Sequence, residues 1–256
     1  MTFLIAARTE LIKTRRSSAF WLSVLGAAFM PVIFFLMYTL KPKSFIPALA
    51  EDPWTGHFLR GWQSLAPFLL PMFVILSCSL ITQIEYKNNT WKQVFASPQS
   101  IGAIFFSKFL AIHIMILFCF LLFNFFMIIS ALAVNVINKG YSFTHHAIDW
   151  LTLVKWSFKT YVSVLGICAL QYWLSLRFKN FIVPIAIGLA LLIASLALLQ
   201  WEHIYKIPYA APILTFMSIR NKSGELLQNH EWNAIGYFVC FTALAFLDLL
   251  NRKERG

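Results

Sequence analysis

Between Phe109 and Val134 the chain runs without a single Asp, Glu, Lys or Arg. A helix needs about 20 predominantly apolar residues to cross the hydrocarbon of a bilayer. Inside lipid, backbone polar groups are satisfied only by a helix or a closed barrel. A run of this length, interrupted only by His113, Asn124 and Ser130, therefore reads as a transmembrane helix. Five further runs are comparable, at about 18–40, 64–84, 151–176, 181–200 and 231–250. The fold class that follows is all-α: one polytopic membrane domain over residues 1–256, with six transmembrane helices.

Charge content agrees. Only 12% of residues are charged against about 25% in a soluble domain. Mean hydropathy is +0.71. The net charge of +11 would suggest nucleic acid in a soluble protein. In a membrane chain it places basic residues beside spans and against anionic lipid, so nucleic acid is not expected as a partner. The four cysteines fall one in each of four spans, without the close spacing of a metal site or a disulfide framework.

Residues 2–16 pair an apolar side (Phe3, Leu4, Ala7, Leu11) with a basic end (Lys13, Arg15, Arg16), which suits an interfacial helix. Thr14 to Ser17 resembles a twin-arginine signal, but the run from Ala19 to Leu40 is too long for a cleaved signal core. Pro31 marks a kink in the first span, and Pro67 and Pro71 a bend in the second. Residues 41–63 and 135–150 read as loops on one side, which we call outer. Lys155 and Lys159 delay the apolar core of the fourth span to about Tyr161. Ile207 to Phe216 is apolar, too short to span and broken by Pro208 and Pro212, so it is expected to dip into the membrane and return. Segments 1–17, 85–108, 177–180 and 251–256 hold about twice the Lys and Arg density of the others, which places both termini inside.

Catalytic patterns are missing. Gly56 and Gly61 have phosphate-loop spacing, but Trp62 and Gln63 follow where Lys and Ser or Thr are needed. His230-Glu231 lacks the second histidine of a zinc helix, and there is no G-x-S-x-G. The first five spans carry no carboxylate in their apolar cores, and Asp248 lies near the inner end of the sixth, which disfavours an ion-coupled carrier. His145, His146 and Asp149 form the best enzyme-like cluster, with His145 and Asp149 on one face if that stretch is helical. A polar loop is the simpler reading of the three. His113 reads as a histidine satisfied inside the bundle, and Asn221-Lys222-Ser223 as an isolated glycosylation-like triplet. Trp54, Trp62, Trp150, Trp156, Trp201 and Trp232 on one side, with Trp21 and Trp173 on the other, read as an aromatic belt.

The longest inner interruption is Glu85 to Lys108. Trp91, Val94 and Phe95 sit at i, i+3, i+4, the spacing of a short amphipathic helix over Thr90–Ala96, and Ser97-Pro98 ends it. A short helix held between two spans is a place for another protein to grip.

The N-terminal stretch E-L-I-K-T-R-R-S-S-A-F-W-L leading into the first span resembles the permease subunits of type-2 ABC transporters. So does the loop Glu85…Asn89-Thr90-Trp91…Ser97-Pro98…Lys108. Asn89 stands where the family often has glycine. The length and layout are similar to the small permeases that protect bacteria from lantibiotics. The resemblance implies a bacterial inner-membrane exporter subunit that forms half of the pathway and pairs with a second permease subunit. It implies a separate cytosolic ATPase that binds ATP and Mg, so that this chain carries no cofactor and no catalytic or metal residues. It assigns the ATPase contact to Glu85, Thr90, Trp91, Val94, Phe95 and Pro98. Glu85 itself reads as a partly exposed charge of modest weight that caps or orients the loop or pairs with a basic residue of the partner. The apolar, aromatic-rich spans suggest an amphipathic cargo. A membrane-embedded enzyme at the His145, His146, Asp149 cluster and a non-transporting scaffold or sensor are the other classes open to this sequence.

Overall fold

The first helix, α1 (Thr2–Thr14), docks through its small residues. Ala6, Ala7, Glu10 and Thr14 are buried, and Leu4, Ile5 and Ile12 are exposed. The expected apolar side is thus split: Ala7 faces protein and Leu4 does not. The computed structural model describes residues 2–15, 17–87, 99–221 and 225–251, and the statements below concern these residues.

Helix α2 (Ser18–Leu40) continues through Pro31 and buries Ala19, Ser23, Ala27, Pro31, Phe34 and Tyr38. The three- and four-residue spacing makes one stripe. Its small residues let the helix approach α6 (Ile101–Ile137) closely. Trp21, Leu25, Phe29, Val32 and Leu36 project from the other side.

The stretch expected to be an outer loop is mostly helix. After α3 (Pro42–Ala48), Asp52 accepts a hydrogen bond from the Thr55 N–H (3.0 Å) and Pro53 occupies the first turn of α4 (Pro53–Ser64). Capping aspartate followed by proline is a strong helix start. Helix α4 passes through a π-helical segment, Leu65–Leu69, into α5 (Leu70–Lys87), so that Pro53–Lys87 is one 35-residue apolar span. Pro67 has no N–H to give and Pro71 crowds the preceding turn, so the bend is taken up as π-helix rather than as a break. The second span therefore begins well before residue 64.

Helix α6 is 37 residues long and capped by Ser100, whose hydroxyl accepts from the Ala103 N–H (3.2 Å). Short 3-10 turns at Lys139–Tyr141 and Phe143–His145 lead to α7 (Trp150–Arg177). The run expected as a fifth span forms α8 (Ile182–Ala197), whose 16 residues reach about 24 Å, less than the roughly 30 Å of hydrocarbon. Two more 3-10 turns and α9 (Ala211–Arg220) follow, then α10 (Asn229–Asn251). Among the described residues there is no strand, and five helices are long and apolar enough to cross a membrane, with α8 a shorter sixth apolar helix.

The Ile207–Phe216 stretch enters the bundle. Tyr209 is buried, and its hydroxyl accepts from Gln171 Nε2 (2.6 Å), within the last two turns or so of α7. Gly188 of α8 makes this possible: a Cβ there would collide with the Gln171 amide and approach Ile75 to 3.0 Å.

At the end of the bundle away from the termini, His57 is buried. Its Nε2 lies 3.0 Å from the Met127 carbonyl and its Nδ1 3.1 Å from the Tyr38 hydroxyl. A carbonyl only accepts, so Nε2 carries the proton and Tyr38 donates to Nδ1. Trp54 Nε1 donates to the Phe143 carbonyl (3.0 Å). Trp54 and Trp62 are core side chains, whereas Trp21, Trp150, Trp201 and Trp232 are exposed in the manner of a belt.

Candidate functional site

Four charged side chains converge where α1, the last turn of α5 and the second turn of α6 meet. Lys108 Nζ lies 2.6 Å from Glu10 Oε2 and 2.7 Å from Glu85 Oε2. Lys13 Nζ lies 2.8 Å from Glu10 Oε1 and 3.1 Å from Glu85 Oε1. Each carboxylate thus gives one oxygen to each lysine, and the four close into a ring of zero formal charge. Local sequence builds half of it: Glu10 and Lys13 are three apart on α1 and share a face. The other half comes from the two helices that flank residues 88–98.

Lys108 and Glu85 are each 1% exposed, whereas Lys13 is 33% exposed. Taking charges out of water costs several kcal/mol per ion, so such groups persist only with close partners and further hydrogen bonds. Burial alone would raise the Glu10 carboxyl, but Lys108 and then Lys13 more than reverse it and hold the group below its usual 4.5. Burial likewise acts to lower Lys13, and Glu10 followed by Glu85 turn the net shift upward from 10.5.

The surroundings are tied down by side chains that bond to backbone. Thr14 Oγ1 donates to the Glu10 carbonyl (2.7 Å), and Tyr172 Oη donates to the Phe105 carbonyl (2.9 Å). Tyr86 Oη donates to the Leu176 carbonyl (2.9 Å) and Gln83 Nε2 to the Lys179 carbonyl (3.0 Å). α1, α5, α6 and the end of α7 are thereby held as one unit around the ring.

Of the residues expected to contact an ATPase, Thr90, Trp91, Val94, Phe95 and Pro98 lie outside the described residues, as does the Thr90–Ala96 helix. Glu85 is described, and it is not the partly exposed charge expected. It is buried and bonded to two lysines of its own chain. Sequence reading took Lys108 only as a motif position and missed Glu10 and Lys13 as its neighbours. The signal was present: a lysine at the start of one span and a glutamate at the end of the previous one require partners if either is buried.

The other candidate clusters resolve into structural roles. Asp149 caps α7, accepting from the Thr152 N–H (3.1 Å) and hydroxyl (2.6 Å), and these bonds hold its carboxyl below the usual range. His145 ends a 3-10 turn and His146 is extended, so the helical face expected to join His145 with Asp149 does not form. Among the described residues no group of three His, Cys, Asp or Glu can hold a metal. His113 Nδ1 meets the Tyr161 hydroxyl at 2.9 Å inside the bundle. Cys78 and Cys168 are free, buried thiols with sulfurs 3.9 Å apart. Lys159, one of the two lysines in the first turns of the expected fourth span, is buried against Glu231 (3.7 Å).

Residues 6–195 match the family described as ABC-2 family transporter protein. The chain belongs to the ABC-2 transporter family. The match contains all four ring residues and stops within α8, before α9 and α10. No curated protein and no solved structure matches the chain. An ABC-2 family chain with several membrane-spanning helices is a multi-pass membrane component of a transporter.

Proposed function

We propose that this chain is the permease subunit of an ATP-driven exporter in a bacterial inner membrane. It forms half of the pathway beside a second permease subunit and takes its energy from a separate cytosolic ATPase. The ring end of the bundle, with both termini, faces the cytosol. Thr90, Trp91, Val94, Phe95 and Pro98 form the surface on which the ATPase docks.

The observation that carries this reading is the position of the ring. Glu85 and Lys108 stand on either side of residues 88–98 and are clasped to each other and to α1. A push on that segment reaches α5, α6 and α1 through short, buried, charge-assisted bonds. Coupling between a docked partner and a membrane bundle needs such rigid contact to an element with two arrangements. Glu85 acts here as a positioning residue at the base of the docking segment.

The cargo we infer is amphipathic. Apolar side chains cover the outward faces of α2, α6 and α10. The complex purified from its native membrane should contain an ATPase, and amphipathic compounds should stimulate its ATP turnover. Recovery of the chain without an ATPase, or stimulation by small hydrophilic solutes alone, would overturn the reading.

A further inference from the structure

A second buried charge cluster lies at the end of the bundle opposite the ring. Lys159 of α7 reaches Ser218 Oγ of α9 (3.3 Å), the carbonyl of Glu225 (3.2 Å) and Glu231 Oε2 of α10 (3.7 Å). Glu231 Oε2 accepts from the Gln228 N–H (2.7 Å), and its Oε1 accepts from the Thr215 hydroxyl (3.1 Å). Thr215 Oγ1 is also 3.0 Å from His230 Nε2. The single hydroxyl proton of Thr215 goes to the carboxylate, so His230 donates through Nε2. Lys159, Thr215, Ser218, His230 and Glu231 are all buried. This cluster is a polar contact between α9 and both of its neighbouring long helices, set beside the buried apolar side chains Ile213, Phe216 and Ile219.

Helix α9 is short and its entry is irregular. It has 10 residues, two 3-10 turns precede it, and Pro208 and Pro212 stand in the first turns of the second 3-10 turn and of α9 itself. The physical question is why a buried Lys–Glu pair joins it to α7 and α10. Apolar side chains of similar volume are often equal or better for stability alone. A polar contact differs in what happens when it opens, because water solvates the separated ammonium and carboxylate, whereas separated apolar faces are left exposed. A joint that alternates between closed and wet states is therefore suited to charges.

We propose that the Lys159–Glu231 pair is a latch that closes the bundle at this end by holding α9 between α7 and α10, and that it releases when cargo leaves. The release step rests on the transporter reading above. Closure does not.

The test uses Ile219→Cys, a buried position on α9, with exposed Cys240 replaced by Ser. A water-soluble maleimide is applied to the purified full-length chain in detergent micelles, without ATP or partner. Reaction at position 219 is expected to be slow, to quicken at least tenfold with Lys159→Met or Glu231→Gln, and to return towards the starting rate with the charge exchange Lys159→Glu/Glu231→Lys. Buried Cys78, Cys119 and Cys168 should stay unlabelled throughout and report any general loosening. An unchanged rate in both single variants overturns the latch, and so does labelling of the three buried cysteines in step with position 219. In the assembled complex, ATP should quicken labelling of the chain with the latch intact. A rate indifferent to ATP in a complex that hydrolyses it overturns the release step, while absence of an ATPase overturns the transporter reading instead.

Discussion

Glu85 and Lys108 are 23 residues apart in the chain and 2.7 Å apart in space, and both are buried. The pair joins the last turn of α5 to the second turn of α6, the two helices that flank residues 88–98 in the chain.

Removing one member of a buried ion pair leaves the other charged and unpaired, which costs about 3–5 kcal/mol. Lys108→Met leaves two carboxylates, Glu10 and Glu85, to share Lys13 alone and is expected to lower the thermal midpoint of the purified chain most. Lys13→Met should have a smaller effect because water reaches Lys13. Thermal unfolding followed by tryptophan fluorescence orders the two. Equal midpoints would mean that the ring does not carry the fold at this end.

The ring also sets a pH dependence. A carboxyl held below its unfolded value adds stability at pH values above that value, and the addition is lost as pH falls through the folded value. For Glu10 the contribution is present above about 4.5 and disappears below it. Lys13 has the opposite sign: its contribution is complete below about 10.5 and is lost as pH rises through the raised folded value. The difference in midpoint between wild type and Glu10→Gln should therefore be constant near neutral pH and shrink in acid. A difference that grows in acid contradicts the ion-pair account.

The long apolar runs were legible because lipid imposes length and hydrophobicity directly on sequence. The start of the second span was hidden, since His57, Arg60, Gly56 and Gly61 dilute the hydropathy of α4. Yet Asp52-Pro53 is a helix start that hydropathy does not register. The fifth run looked like a full span because apolar residues continue past Ala197, where the helix ends. Neither charge cluster was legible as a cluster. Glu10 with Lys108 joins residues 98 apart, and Lys159 with Ser218 joins residues 59 apart. Only packing sets such distances. The sequence shows a lysine inside a span and leaves its partner unnamed.

Topology gives a further expectation. Basic residues concentrate in the segments at the ring end, so that end should be cytoplasmic. Reporter fusions at Gly256 and within residues 201–207 should fall on opposite sides of the membrane. The same side for both would overturn the orientation.

The docking segment and its anchor can be separated by mutation. Trp91 is the large aromatic side chain of the proposed ATPase contact, and aromatic anchors commonly cost about 2 kcal/mol or more when truncated, roughly a thirtyfold loss of affinity. Trp91→Ala should lose the ATPase on co-purification while leaving the thermal midpoint of the isolated chain near wild type, because the ring is untouched. Glu85→Gln should do the reverse first: it leaves Lys108 and Lys13 short of one carboxylate, so the midpoint falls even with no partner present. Partner loss then follows from a loosened base. Leu121→Ala, on the outward face of α6, is the control and should change neither. If Trp91→Ala lowers the midpoint as much as Glu85→Gln does, Trp91 belongs to the fold of this chain. If instead Trp91→Ala retains the ATPase as wild type does, the segment between Glu85 and Lys108 is not where the partner binds.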